Sequence, residues 1–246
     1  MSVTGLYITH RVQHTAIPYV KTYGEVVLKD IVPAFANLSV RATAIADAEF
    51  QRLGHLPASG DCDGDMSVQA EAAQDKGQVF YDTMMGIRQS TLNLFAAGLF
   101  HLLEQKLADI CRDGAFGAAP PGDTKLSVVA EWYRVHFNLD LTKLSAWPKI
   151  DQLRLLANSV KHGEGDSAAK LRTIRPDIFE EPTMKTMFPD MPSMYVSRAV
   201  QLPLAGEDIF VTTDVFTEFS QAANAFVAEI AEHFAAHQND HYLVGD

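Results

Sequence analysis

Arg154, Asn158, Lys161 and His162 are the residues of this chain whose types and spacing could do chemistry. At about 100° per residue they fall within roughly a quarter turn of one another on a helix. Ile150, Leu153, Leu156, Ala157 and Val160 fall on the opposite arc and read as core. Histidine is the general acid or base of near-neutral pH, and arginine and lysine hold oxyanions such as phosphate. Asparagine can orient an imidazole or bind the same anion. Part of the cluster also has a purely structural account. Lys161 and His162 sit in the last turn before Gly163, where cations suit the helix dipole and glycine suits a left-handed C′ position. That account leaves Asn158 unexplained, because its amide competes for backbone hydrogen bonds inside a helix.

The surrounding charge is uneven. The chain carries a formal net charge of −11, which argues against a surface that grips nucleic acid everywhere. Yet residues 149–175 hold six basic residues (Lys149, Arg154, Lys161, Lys170, Arg172, Arg175) against three acidic ones, and residues 201–246 hold eight acidic residues with no lysine or arginine. A basic region on an acidic body fits a focused phosphate site in which Lys161, Lys170 and Arg172 would bind substrate. It equally fits charge complementarity inside the protein or between subunits.

Asn-x-x-Lys-His-Gly at the end of an amphipathic helix resembles the HEPN superfamily of helical domains, which includes toxin and phage-defence ribonucleases. Asn158 and His162 stand where that family's Arg-Asn-x-x-x-His signature has its asparagine and histidine. The family's arginine position holds Ala157 here, and Arg154 lies one turn earlier. The resemblance implies a mainly α fold, a HEPN-like helical bundle of long antiparallel helices. It also implies metal-independent RNA cleavage without a cofactor, in which His162, Arg154 and Asn158 are the catalytic residues. By the same resemblance the chain pairs as a homodimer that brings two motif helices together, with an antitoxin or defence-system partner. A second reading keeps the scaffold as a non-catalytic RNA- or protein-interaction module. A third is a structural helical protein with a solvated motif face.

The elements that must position these residues form one domain over residues 1–246. Residues 1–23 read as an N-terminal arm, extended or in short strands, and a first long helix is predicted over 29–53, with Pro33 tolerable in its first turn. Residues 56–65 read as a loop whose Asp61, Asp63 and Asp65 depart from a calcium-loop pattern at the glycine and final glutamate positions. Helices are predicted over 68–112, 126–137, 149–162 and 168–174, the third following Trp147-Pro148, where proline suits the first helical turn. Residues 176–212 read as an insertion in which 194–200 and 208–212 form a β-hairpin. A last helix runs from 213 or 214 to about 237.

The remaining features exclude rather than assign. Cys62 and Cys111 have neither metal spacing nor a disulfide framework. His10 and His14, like His233 and His237, have ligand spacing without the acid of a zinc helix, and no metal site is predicted. Trp132, Tyr133 and His136 read as core. No P-loop, dinucleotide fingerprint, nucleophile elbow or zinc-finger array occurs. With no apolar run long enough to span a bilayer and no signal-peptide pattern, the sequence predicts a cytoplasmic protein that does not engage a membrane.

Overall fold

Leu92, Ala96, Leu99, Leu103, Leu107 and Ile110 recur every three or four residues, a period that lines one stripe of a helix. The computed structural model describes residues 2–55, 66–114, 120–202 and 206–243. In it this stretch is the second half of α4 (Met66–Gly114), and those six side chains are at most 3 % exposed. The first half of α4 packs on α3 (Leu38–Gly54). There Gly77 is required, because a Cβ at that position would lie 2.8 Å from the Ala42 carbonyl oxygen.

Around α4 stand α5 (Leu126–His136), α6 (Trp147–His162), α7 (Asp166–Ile174), the short α8 (Pro182–Met187) and α9 (Thr213–Ala236). The α6 helix packs against α4, α7 and α9. The α9 helix buries Phe216, Phe219, Phe226 and Phe234, and Phe137 meets Phe234 edge to face at 5.3 Å. The chain is thus a mainly helical bundle, as its periodicity predicts. No helix among the described residues is long and apolar enough to cross a membrane.

Three elements differ from expectation. The N-terminal arm is helical rather than extended. A short strand β1 (Ser2–Thr4) pairs antiparallel with β2 (His241–Leu243), then α1 (Gly5–Arg11) and α2 (Ile17–Val26) follow with wide π turns at Val12–Ala16 and Val27–Ile31. Ile8, Val12, Ala16, Val20 and Val27 are its buried stripe, and it packs on α9. Polar residues between those positions imitate alternation, while Pro18 falls in the first turn of α2, directly after the π turn in which Ile17 N–H reaches back to the Val12 carbonyl.

The predicted helix over 29–53 is also interrupted. Pro33 lies in a 3-10 turn (Val32–Phe35), Ala36 is extended, and Asn37 takes a left-handed φ of 54° before α3 begins. A proline cannot continue the ladder of the preceding turn, so the chain ends one helix there and starts another.

The expected β-hairpin is not formed by the described parts of 176–212; residues 203–205 lie outside them. Instead Val196 makes a single bridge to Glu180, and Phe210 N–H donates to the Ile178 carbonyl at 2.8 Å. The groups a hairpin would pair are taken in part by the backbone of 178–181, with Ser197 N–H donating to the Phe179 carbonyl and Glu181 N–H to the Tyr195 carbonyl, and in part by side chains. The Asp208 carboxylate accepts from the N–H groups of Gln201 and Leu202 at 2.7 and 3.0 Å. Asn93 of α4, 1 % exposed, donates to the Ile209 carbonyl at 2.7 Å and accepts from Val211 N–H at 3.1 Å.

Asn93 therefore stands in for a strand. Its truncation orphans two backbone groups, each costing about 1 to 3 kcal/mol when buried unpaired. Asn93→Ala is expected to lose roughly 2 to 4 kcal/mol in urea unfolding, more than the exposed Asn239→Ala. A loss below about 0.5 kcal/mol, the usual size of a neutral surface change, would refute this role.

Candidate active site

The α6 helix is placed at its start by a carboxylate from α9. Glu229 accepts from the N–H groups of Ser145 and Ala146 at 2.6 and 3.2 Å, satisfying donors at the N-terminal end where the dipole favours an anion. Pro148 follows in the first turn. At the other end Gly163 N–H donates to the Ser159 carbonyl at 2.9 Å, with φ 78° and ψ −149°. This is a positive-φ stop, though not the left-handed helical geometry expected at C′. Only glycine adopts it without strain. Between the two ends Ser159 returns its hydroxyl to the Leu155 carbonyl at 2.8 Å, so the buried face carries no unpaired side-chain oxygen there.

The outer face of α6 lines a cleft of about 480 Å³ with Arg154, Asn158, Lys161 and His162 together. The structure thus brings all four to one place. The α4 helix contributes Phe100, His101 and Glu104 to the same cleft, and the segment leading into α5 contributes Asp123, Thr124 and Lys125. A second cleft of about 510 Å³ shares Leu126, Ser127 and Arg154 with the first and continues past Trp147 to Asp140. The two form one groove, with Arg154 at the junction.

Within the cleft the groups differ in how far they are committed. Arg154 donates to Asp151 through Nε at 2.8 Å, while Asn158 Nδ2 reaches Ser167 Oγ at 3.5 Å, at the limit of a hydrogen bond. Lys125 is paired with Asp123 at 2.9 Å. His101 Nδ1 meets Glu104 Oε2 at 3.0 Å, and Glu104 Oε1 accepts from Leu126 N–H at 2.9 Å. Lys161 and His162, both exposed, make no side-chain hydrogen bond or ion pair among the described residues. Arg154, Lys161 and Lys125 face Glu104 and Asp123 here, while the adjoining cleft adds Glu131, Asp140 and Asp151 against Arg134, so the uncommitted positive charge is confined to Lys161 at the α6 end.

The other two proposed substrate residues lie elsewhere. Lys170 is exposed on α7 and Arg172 is not in the cleft. Arg172 donates twice to Glu164, at 3.2 and 2.8 Å, and lies 4.6 Å from the Phe179 ring centre. Glu164 in turn accepts from Val200 N–H at 2.8 Å, so the pair ties the 176–212 segment to the end of α6. Arg175, 12 % exposed, pairs with Asp177 and Glu218, and Lys149 also pairs with Glu218. Four of the six basic residues over 149–175 are therefore spent on internal ion pairs; Lys161 and Lys170 are not.

Sequence reasoning missed His101, Glu104 and Lys125. The only trace they leave is the three-residue spacing of His101 and Glu104, which ordinary helix surfaces also show.

Other candidates resolve as structure. Trp132 and Tyr133 are buried in the core, as read, and Cys111 is buried, with its thiol pushed well up by desolvation. The His10–His14 and His233–His237 rings lie against each other, tilted, with centres 4.2 and 4.6 Å apart. Among the described residues no three His, Cys, Asp or Glu side chains converge to hold a metal ion. Cys62 and the Asp61–Asp63–Asp65 loop lie outside the described residues. Comparison with family models, with curated proteins and with solved structures finds no match to this chain. The site's chemistry therefore rests on its own geometry.

The Glu164 tether has a pH signature. The Arg172 guanidinium, with Val200 N–H, holds its carboxyl below the usual glutamate range against an opposing contribution from burial. A depressed pKa adds stability above the unfolded value of about 4.3, which is lost as pH falls through the folded value. Glu164→Gln is expected to melt earlier at neutral pH and to show a shallower fall in Tm below about pH 4. Parallel Tm curves for the two proteins between neutral and acid pH would remove the tether from the stability of the fold.

Proposed function

We propose that the protein is a metal-independent endoribonuclease of the HEPN type that cuts RNA in the cleft between α4 and the C-terminal turn of α6. The gathering of Arg154, Asn158, Lys161 and His162 on one wall, with Lys161 and His162 uncommitted, carries this reading. A phosphodiester in the cleft would meet Lys161 and Arg154 as the positive groups that hold its non-bridging oxygens and the charge growing on them. The adjacent 2′-hydroxyl gives up its proton to a base and forms the new P–O bond. The P–O5′ bond breaks, and the departing 5′-oxygen takes a proton from an acid. The products are a 2′,3′-cyclic phosphate and a 5′-hydroxyl. His162 moves one of these protons, and Asn158 orients it or holds the phosphate. The adjoining cleft along Trp147 leaves room for the strand to continue.

A toxin or phage-defence setting, with an antitoxin or other partner, comes from the HEPN resemblance alone. So does the homodimer. Residues Ile150 to Val160 of α6 are largely buried within the chain, so such pairing would use the exposed last turn that carries Lys161 and His162. A non-catalytic interaction module is the second reading. It is favoured by the Arg154–Asp151 pair, which partly neutralises the arginine that stands one turn from the family position.

The two readings separate on His162→Ala. General acid or base catalysis is worth about 10²- to 10⁴-fold, and cleavage of single-stranded RNA is expected to fall by at least that lower figure. A last-turn cation contributes about 0.3 to 1 kcal/mol, so Tm should shift by no more than about 4 °C. His233→Ala on α9 should cut as wild type. A His162→Ala protein that melts and cuts like wild type would leave the interaction module standing.

Attack by the 2′-hydroxyl leaves 2′,3′-cyclic ends, and with His162, Arg154 and Lys161 carrying the reaction, cleavage is expected to continue in EDTA. Activity lost in chelator and restored by magnesium or manganese would refute the mechanism.

A further inference from the structure

Strand cleavage by the 2′-hydroxyl needs two proton transfers, one at the attacking oxygen and one at the leaving oxygen. One imidazole cannot serve both at once. We infer that His101 is the second proton-transfer group, acting as the base that takes the 2′-hydroxyl proton while His162 donates to the 5′-oxygen. This inference rests on the phosphodiester-cleaving reading above.

Both histidines line the one cleft, and they reach it from different helices, His101 from α4 and His162 from α6. In an in-line displacement the nucleophile and the leaving group lie on opposite sides of phosphorus, so the base and the acid must come from different directions. Two groups on one helix face could not meet that demand as readily.

The surroundings of His101 suit it to the base role. Its Nδ1 lies 3.0 Å from Glu104 Oε2. An ionised carboxylate can only accept, so Nδ1 carries the proton and the lone pair of the neutral ring is on Nε2. Glu104 is itself immobilised: its side chain is 13 % exposed, and its other oxygen accepts from Leu126 N–H. A carboxylate that fixes an imidazole's tautomer and steadies its charged form is the arrangement that activates nucleophiles in hydrolases. Support for the start of α5 accounts for Glu104 alone. It gives no reason for a histidine one turn earlier that shares the carboxylate and faces the cleft. Glu104 is a positioning residue. The other charged or titratable groups around His101 are Asp123 and Lys125 on the segment before α5, and Arg154, Lys161 and His162 on α6.

The test uses the full chain on two substrates: a dinucleotide with an ordinary 5′-nucleoside leaving group, and a nucleoside 3′-(4-nitrophenyl phosphate), whose leaving group departs without an acid. For wild type a bell-shaped pH–rate profile is expected on the dinucleotide. His101→Gln should lose at least about 10²-fold on both substrates and lose the acidic limb. His162→Ala should lose the dinucleotide reaction and the basic limb, yet keep most of its rate on the nitrophenyl ester. Glu104→Gln should lower the rate on both substrates alike, as loss of the base's orientation would, and Glu104→Asp should recover part of it, a rescue that altered packing would not produce. The ratio of the two rates within each variant is independent of the folded fraction, so partial destabilisation does not blur the result. If His101→Gln cuts both substrates as wild type does while His162→Ala is inactive on the dinucleotide, the inference fails and the ribonuclease reading survives. If wild type cuts neither substrate nor any longer RNA, both fail.

Discussion

The burial of α6 is the constraint on which the rest depends. Seven of its residues, Ile150, Leu153, Leu155, Leu156, Ala157, Ser159 and Val160, are buried against α4, α7 and α9. Each large aliphatic side chain so placed contributes about 1.5 to 3 kcal/mol relative to exposure, more than a surface ion pair returns. A helix enclosed on three sides has one edge left for polar side chains. Arg154, Asn158, Lys161 and His162 occupy that edge. The location of the cleft follows from packing, and its chemistry from what the one open edge carries.

Charge is arranged around the same helix in two parts. Two carboxylates of the acidic C-terminal region turn toward the fold from α9, while Glu207, Asp214, Glu232 and Asp240 stay exposed. Glu229 stabilises the start of α6, while Glu218 meets Lys149 and Arg175. Glu164 and Asp177 engage Arg172 and Arg175. What remains uncommitted is Lys161 in the cleft and Lys170 beyond it. A protein of large negative net charge thus keeps Lys161 free at one end of the groove, which favours an anion bound at a point over one spread along the surface.

The helices were legible where apolar residues repeat without interruption. The predicted ends of the helices over 149–162 and 213–237 match the structure within about two residues, because Pro148, Gly163 and Thr212 carry local reasons to start or stop. The N-terminal segment was misread because only its widely spaced Ile8, Val12, Ala16 and Val20 are core, and short windows see polar residues alternating with them. The hairpin was misread for a different reason. Residues 194–200 and 208–212 have strand composition, but Asn93, more than a hundred positions away, takes the backbone groups that would have paired. No local pattern records a long-range competitor of that kind. The four motif residues were legible as one face because helical spacing alone determines it. That Arg172 is an internal tie rather than a substrate contact depends on where Glu164 and Val200 come to rest, which spacing does not determine.

The opposite wall of the cleft was invisible for the same physical reason, and it changes what the site requires. A motif helix supplies one histidine, so a chemistry with two proton transfers needs a second group from somewhere. Pairing two copies is one solution. The packing of α4 on α6 offers another within a single chain, since it sets His101, already held by Glu104, at the cleft that His162 lines. On the proposed mechanism the site is complete within one chain and needs no second copy. The site's dependence on association is decided by one helix contact, and a mutation that loosens α4 from α6 would separate the histidines without touching either.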